Sequence, residues 1–392
     1  MKSCAFQAIL LVLIGSLVLH TNSTTRCEDG KVQTQRPIVG AIRWDAWHGD
    51  KGVPGRAVEK SLSPAHWHGR VPFYGQIISQ HQVEIRADRQ EVMDQEIAFA
   101  SEAGLDYWAF CLYRAGDPMN RGLELYLKSS SRNKIHFCLL LQAAHLGTAA
   151  EWPKTAQEIV GYLKEQGYQN VEQNRPLIYL TNNDQELPET FGSWTEARHA
   201  FNLLSSESQK AGLGKPYIVV QNWEPADAAR YDRLLGFDAI SAYAVSGSGE
   251  GYHPFKDLAK RTRIFWDQCK NTGVQVVPLV MSGWDRRPRQ ENPVPWEQGD
   301  WTRSTLYYAP PRPEELADLV GDAMRWTEAN PAAAKARTVL IYAWNENDEG
   351  GWLVPTHAEG NARLEAIRKV LKPRAGMVTK QTDTMDSVQP RH

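Results

Sequence analysis

Val339-Leu340-Ile341-Tyr342-Ala343-Trp344-Asn345-Glu346-Asn347-Asp348-Glu349-Gly350-Gly351-Trp352 runs from an apolar, strand-like segment straight into two glutamates three residues apart, followed by two glycines. Glu-x-x-Glu by itself is common on solvated helix faces. Here it follows a strand, with tryptophans on both sides and glycines that let the backbone turn, which is how many enzymes that cleave sugars present an acid and a base. The structural alternative is a solvated loop pair, or a carboxylate that caps the last helix.

Working back from this segment, seven further apolar runs of strand length appear, at 38–44, 105–113, 134–142, 176–181, 216–222, 237–244 and 275–281, and the last run is 338–344. Amphipathic stretches alternate with them. In 88–103, Met93, Ile97 and Ala100 share a face and Gly104 supplies the stop. Ser193 with Glu196 forms a capping box ahead of Ala200, Phe201 and Leu204, and Glu224-Pro225 opens another helix. Leu316, Val320 and Ala323 mark a further helix, and Leu364, Ile367 and Leu371 the last. Eight strand-helix units predict an α/β fold, a (β/α)8 TIM barrel in a single domain spanning 30–372. An open doubly wound sheet is disfavoured because no Gly-x-Gly-x-x-Gly follows the first strand.

Two loops are long: 46–85 after strand one and 283–311 after strand seven. Both lie at strand C-terminal ends, where barrel active sites are built, and both are rich in aromatics: Trp47, Trp67, Tyr74, Trp284, Trp296 and Trp301. His48, His66, His68, Asp285 and Arg286 stand among them, with Asp285 either an extra carboxylate or a group that orients its neighbours. The remaining strand ends contribute Trp44, Asp45, Tyr113, Gln142, His145, Asn222, Trp223, Tyr243 and Asn345, and Trp352 closes the last loop. Aromatic faces that cover the C–H faces of a pyranose, with amides and carboxylates for its hydroxyls, suit an oligosaccharide or polysaccharide substrate. The same positions also fit individual core residues. For Glu346 and Glu349 the catalytic reading requires one protonated and one ionised group, a split that two close carboxylates in a water-poor cleft provide. Asp348 is a third acid in the loop, and without histidines the cluster is a weak metal signal, so no metal or cofactor is expected.

The chain of 392 residues is 42% hydrophobic, enough for a large core, and its net charge of −2 supplies no field for nucleic acid or anionic membrane. Residues 1–26 read as a secretory signal peptide: Lys2, an apolar run through Leu19, then polar residues, with an uncleaved anchor as the alternative. A secreted or periplasmic monomer, with no membrane association after cleavage, is expected. The tail 373–392 is polar and aperiodic and reads as disordered. Beyond Cys4, the cysteines Cys27, Cys111, Cys138 and Cys269 make neither a disulfide framework nor a zinc spacing, and Cys111 and Cys138 read as buried thiols.

Gln95-Glu96-Ile97, Ala103-Gly104-Leu105-Asp106-Tyr107-Trp108-Ala109-Phe110 and Trp344-Asn345-Glu346-x-x-Glu349-Gly350 together resemble the family-99 glycoside hydrolases and their WbsX-like relatives, an endo-α-mannosidase-like group. The resemblance covers most of the barrel in order. It implies a secreted glycosidase that cleaves α-linked, mannose-type bonds with retention. Glu346 would then be the base on the sugar's 2-hydroxyl, giving a 1,2-anhydro sugar, and Glu349 the acid on the leaving oxygen. Asn347 and Asp348 stand where the family carries an aromatic and polar pair, which leaves the sugar open. A carbohydrate-binding barrel without turnover, or a glycan-assembly transferase, is the alternative.

Overall fold

The computed structural model describes residues 36–372, apart from Asp50, Lys51, Asp184 and 300–302. The expected signal segment, the tail, Cys4, Cys27 and Trp301 lie outside the described residues. Each of the eight apolar runs forms a strand: β1 (Ile38–Arg43), β2 (Tyr107–Cys111), β3 (His136–Gln142), β4 (Arg175–Thr181), β5 (Tyr217–Gln221), β6 (Ala239–Ser241), β7 (Leu279–Met281) and β8 (Thr338–Tyr342). They pair in parallel in the order β7-β8-β1-β2-β3-β4-β5-β6. A single parallel bridge from Ile240 to Val276 then joins β6 to the segment leading into β7 and closes the barrel. The (β/α)8 architecture is therefore present.

β7 is shorter than its apolar run because Pro278 has no N–H for the ladder, although its carbonyl still accepts from Leu340 N at 3.0 Å. Strand residues are buried on both faces, as expected for a parallel sheet covered by helices. On the barrel floor, Gly40 makes room for the Tyr107 ring, since a Cβ there would lie 2.3 Å from it. The Tyr107 hydroxyl meets Tyr179 at 2.7 Å and Thr338 at 2.8 Å, so its polar end is satisfied inside the core.

One main helix follows each strand: α1 (Gln90–Ala103), α2 (Arg121–Lys128), α3 (Trp152–Leu163), α4 (Trp194–Lys210), α5 (Pro225–Leu235), α6 (Phe255–Asn271), α7 (Pro313–Ala329) and α8 (Ala362–Leu371). The predicted faces are the buried ones: Met93, Ile97 and Ala100 in α1, Ala200, Phe201 and Leu204 in α4, and Leu316, Val320 and Ala323 in α7. Gly104 ends α1 in the left-handed region, and the Ser193 side chain accepts from Glu196 N at 3.1 Å. α8 packs between α7 and α1, completing the ring.

The two long loops carry structure of their own. After β1 come a helix (Val53–Leu62), a 3₁₀ turn (Ala65–Arg70) and a hairpin (Gly75–Ser79 with Gln82–Ile85). After β7 come a short helix (Arg287–Glu291) and a strand (Tyr307–Tyr308) that pairs in parallel with Tyr252–His253 of the loop after β6. Cys111, Cys138 and Cys269 are buried free thiols. Among the described residues no helix is long and apolar enough to cross a membrane, and no metal-ligating cluster is present.

Candidate active site

β8 delivers its acidic residues in a tight loop. Asn345–Glu346 pairs antiparallel with Gly351–Trp352, and Asn347–Glu349 forms a 3₁₀ turn between them. The loop is not solvated: Glu346 is 3% exposed, Glu349 8% and Asp348 0%. Three carboxylates this deep require compensation.

The compensation comes from the loop after β7. Asp285 N donates to Glu349 O at 2.6 Å, a backbone approach close enough to need glycine on both sides. A Cβ on Gly283 would lie 2.0 Å from Gly350 O, and one on Gly350, which has φ +87, would lie 2.4 Å from Asp285 N. This contact sets Arg286 and Arg289 over the carboxylates. Gly350→Ala is expected to lose about 1 to 3 kcal/mol through strain at positive φ alone. By tilting Glu349 it is expected to lower turnover by up to about 10²-fold. Unfolding curves and initial rates measure both, and a variant that behaves as wild type refutes the backbone contact.

Arg289 is the hub. It donates to Asp348 through Nε at 2.7 Å and Nη2 at 3.2 Å, to Glu349 Oε1 and Glu297 Oε1 through Nη1, and reaches Glu346 Oε2 at 3.4 Å. Arg286 donates to Glu349 Oε1 at 3.1 Å and also to Glu297. The Tyr342 hydroxyl donates to Glu349 Oε2, and the Tyr243 hydroxyl to Glu346 Oε1 at 2.5 Å.

The two glutamates are consequently unlike. Burial, the Glu349 charge and Asp348 push the Glu346 carboxyl well above the ordinary range, and Arg289 offsets this only in part. Burial acts on Glu349 too, but Arg289, Arg286 and the Tyr342 hydroxyl outweigh it and hold its carboxyl below the ordinary range. Glu297 is raised, by burial first and by repulsion from Glu349, against the pull of both arginines. The surroundings therefore push the two carboxyls apart, Glu346 up and Glu349 down.

Of the residues expected to touch substrate, Tyr243 meets Glu346 directly, and Trp44, Tyr113, Gln142 and His145 gather beside it. The Trp44 indole N–H donates to the Tyr113 hydroxyl at 2.6 Å, Gln142 lies against that hydroxyl, and Tyr113 packs on the exposed His145 ring at 4.7 Å. Trp223 is exposed and Trp284 lies 5.8 Å from Tyr342. The other residues named from the sequence have partners within the protein. Asp45 is bound by Arg43 and Asn345, and pushed up to about 6 by burial, so it is a framework carboxyl. Asn345 accepts from Trp44 N, and Asn222 accepts from Glu224 N ahead of α5 and donates to Asn182 O, so their amides are taken up locally. Trp352 is buried, with the Arg363 guanidinium over its ring at 3.8 Å. Asp285 pairs with Arg70 and Arg287, and His66 with Glu291.

Sequence reasoning missed Arg289, Glu297, Tyr342, and the buried Arg43–Glu96 pair. Glu96 accepts from Arg43 Nη2 at 2.7 Å and from the Trp344 indole at 2.8 Å, tying α1 to the chain entering the acidic loop. The signal for Arg289 was Arg286-x-x-Arg289 in a loop already expected to face the glutamates.

The closed (β/α)8 barrel is shared with solved glycosidase structures. The GH99 endo-α-mannosidase from Bacteroides thetaiotaomicron in complex with bis-tris propane matches with a TM-score of 0.52 and 14% identity, over 81% of this chain and 86% of that one. A second structure of that enzyme matches with a TM-score of 0.52 and 12% identity, over 85% and 96%. Identities this low establish the common fold and nothing finer. No protein-family profile matches the chain. No similar curated protein was found either.

Proposed function

We propose that this protein is an O-glycoside hydrolase acting on α-linked glycans of the mannose type with retention, and that Glu346 and Glu349 are its reacting pair. The observation that carries this reading is the pair itself: two buried carboxyls whose surroundings push them in opposite directions, at the barrel end where the fold places active sites, on a motif that resembles family 99. Trp44, Tyr113, Gln142 and His145 supply aromatic and amide surface beside them, and Trp223 and Trp284 extend it. The sugar class comes from the family-99 resemblance of the motif, and the fold shared with an endo-α-mannosidase is compatible with it. We assign the N-terminal segment to export, and the protein acts as a monomer outside the cytoplasm.

The test is a screen of the mature protein against α-mannan, high-mannose N-glycans, and plant and sulfated polysaccharides, with new reducing ends as the readout. Release from an α-mannosidic substrate with retained anomeric configuration is the expected result. Hydrolysis only of β-linked chains refutes the proposed linkage.

A second reading has its own support: every oxygen of Glu346 and Glu349 already has a phenol or guanidinium donor, and Arg289 lies beside the packed Trp44 and Trp296 rings, 5.3 and 5.8 Å from their centroids. A barrel that binds sugar without turnover fits this. Calorimetric binding with no product from any glycan in the screen would favour it.

A further inference from the structure

Trp223 and Trp296 are the tryptophans left exposed among the described residues, and Trp296 stands beside the carboxylate cluster with 39% of its surface open. A single exposed apolar side chain needs no special cause. This one is different because the chain holds it rigidly in place. In Asn292-Pro293-Val294-Pro295-Trp296-Glu297, Val294 is buried, and Glu297 N donates to Val294 O at 3.4 Å. That bond closes a turn with Pro295 at the position proline favours, and Pro293 restricts the approach to it. On the other side, Glu297 accepts from Arg289 Nη1 at 2.7 Å and from Arg286, the two arginines that also bind Glu349. Trp296 is thus pinned between a buried valine and an ion-paired glutamate, in register with the acidic loop.

Its ring meets Trp44 with centroids 5.7 Å apart and planes tilted by 58°. A contact at that angle is no face-to-face stack, so Trp296 keeps an open face while Trp44 is buried. The Trp44 indole bonds to Tyr113, which packs on His145, and the four rings make one aromatic wall. Arg289, 5.3 Å from the Trp44 centroid and 5.8 Å from that of Trp296, joins this wall to both glutamates. Fixing an aromatic plate in advance lowers the entropy cost of binding a ligand on it.

We propose that Trp296 is a sugar-stacking residue, whose open indole face takes the C–H face of a pyranose unit flanking the one held at Glu346 and Glu349. The cluster beside it sets four carboxyls, Glu297, Glu346, Asp348 and Glu349, against two arginines, which favours a neutral sugar over a sulfated or uronic one. The proposal rests on the reading of the ligand as a glycan and not on turnover, so it applies equally to a hydrolase and to a barrel that only binds.

Calorimetric titration of the whole protein with neutral oligosaccharides from α-mannan tests it, with neutral plant and sulfated oligosaccharides run alongside. Wild type is compared with Trp296→Ala, Trp296→Leu and Trp296→Phe. Binding of a neutral oligosaccharide is expected to weaken about tenfold in the Ala and Leu variants and to stay near wild type in Phe, which keeps a ring face. Leu preserves an apolar cover over Trp44 without a ring. A Leu variant that binds as well as Phe would show that Trp296 only shields Trp44, and would overturn the proposal. Equal binding by wild type and Trp296→Ala, or binding of sulfated chains alone, would do the same. A wild type that binds no oligosaccharide of the panel refutes the glycan reading itself, and this proposal with it.

Discussion

Glu346→Gln and Glu349→Gln are each expected to lower turnover of a responsive glycan by about 10² to 10⁴-fold, the range that general acid and base groups supply. Their effects on stability should separate. Burial and the neighbouring carboxyls raise Glu346 well above its ordinary range, so a neutral amide of the same shape should change little, and the melting temperature should stay near that of wild type. Glu349 is held below its ordinary range and accepts from Arg286 and Arg289. Glutamine there leaves two buried guanidinium groups short of a counter-charge, at a cost of up to about 3 to 5 kcal/mol, with Asp348 and Glu297 softening the loss. Initial rates and urea unfolding on both variants measure this. Full activity in both would refute the catalytic pair, and equal loss of stability would refute the charge split.

Arg289→Met should be among the most destabilising single changes in the protein. Asp348, Glu349 and Glu297 share this guanidinium, so its removal leaves several buried carboxylates facing one another, and the expected cost is about 3 to 5 kcal/mol. The deficit should depend on pH. Wild-type Glu349 is held below its ordinary value of 4.5, so its stabilising contribution is present above that value and is lost as pH falls through the depressed folded value. The variant lacks that contribution. The gap between wild type and Arg289→Met is therefore full near neutral pH and narrows in acid. Unfolding free energies at about pH 7.5 and about pH 4 check it, and a gap independent of pH would mean that Arg289 acts by packing alone.

The framework behind the site explains why the acidic loop keeps one geometry. Glu96 reaches from α1 to the Trp344 indole, while Arg43 spans Glu96 and Asp45, and Asp45 holds Asn345. Trp344 and Asn345, the two residues leading into Glu346, are thus fixed from α1 and from the end of β1. This is also why Asp45 and Asn345, expected to meet the sugar, are spent on the frame. From the sequence, an amide or a carboxyl at a strand end looks the same whether its partner is a ligand or a neighbouring backbone. That distinction depends on contacts between residues 301 positions apart, as for Trp44 and Asn345.

Much else was legible. The eight strands, the buried faces of α1, α4 and α7, the stop at Gly104 and the start at Ser193 all follow from local rules, in which spacing of apolar side chains and one or two terminal hydrogen bonds decide the conformation. The order of strands then follows because each helix must return the chain to a parallel neighbour. The placement of Glu346 and Glu349 at the barrel mouth is a consequence of that order, and so it was readable as well.

The charge state was not. It is set by Arg286 and Arg289, nearly 60 residues before the glutamates, and they reach them only because Gly283 and Gly350 let two loop backbones touch. The sequence by itself determined the barrel and the place of its two glutamates, because local periodicity governs both. Only the tertiary structure decided how each carboxyl is shifted, because electrostatic energy depends on distance through space and on exclusion of water.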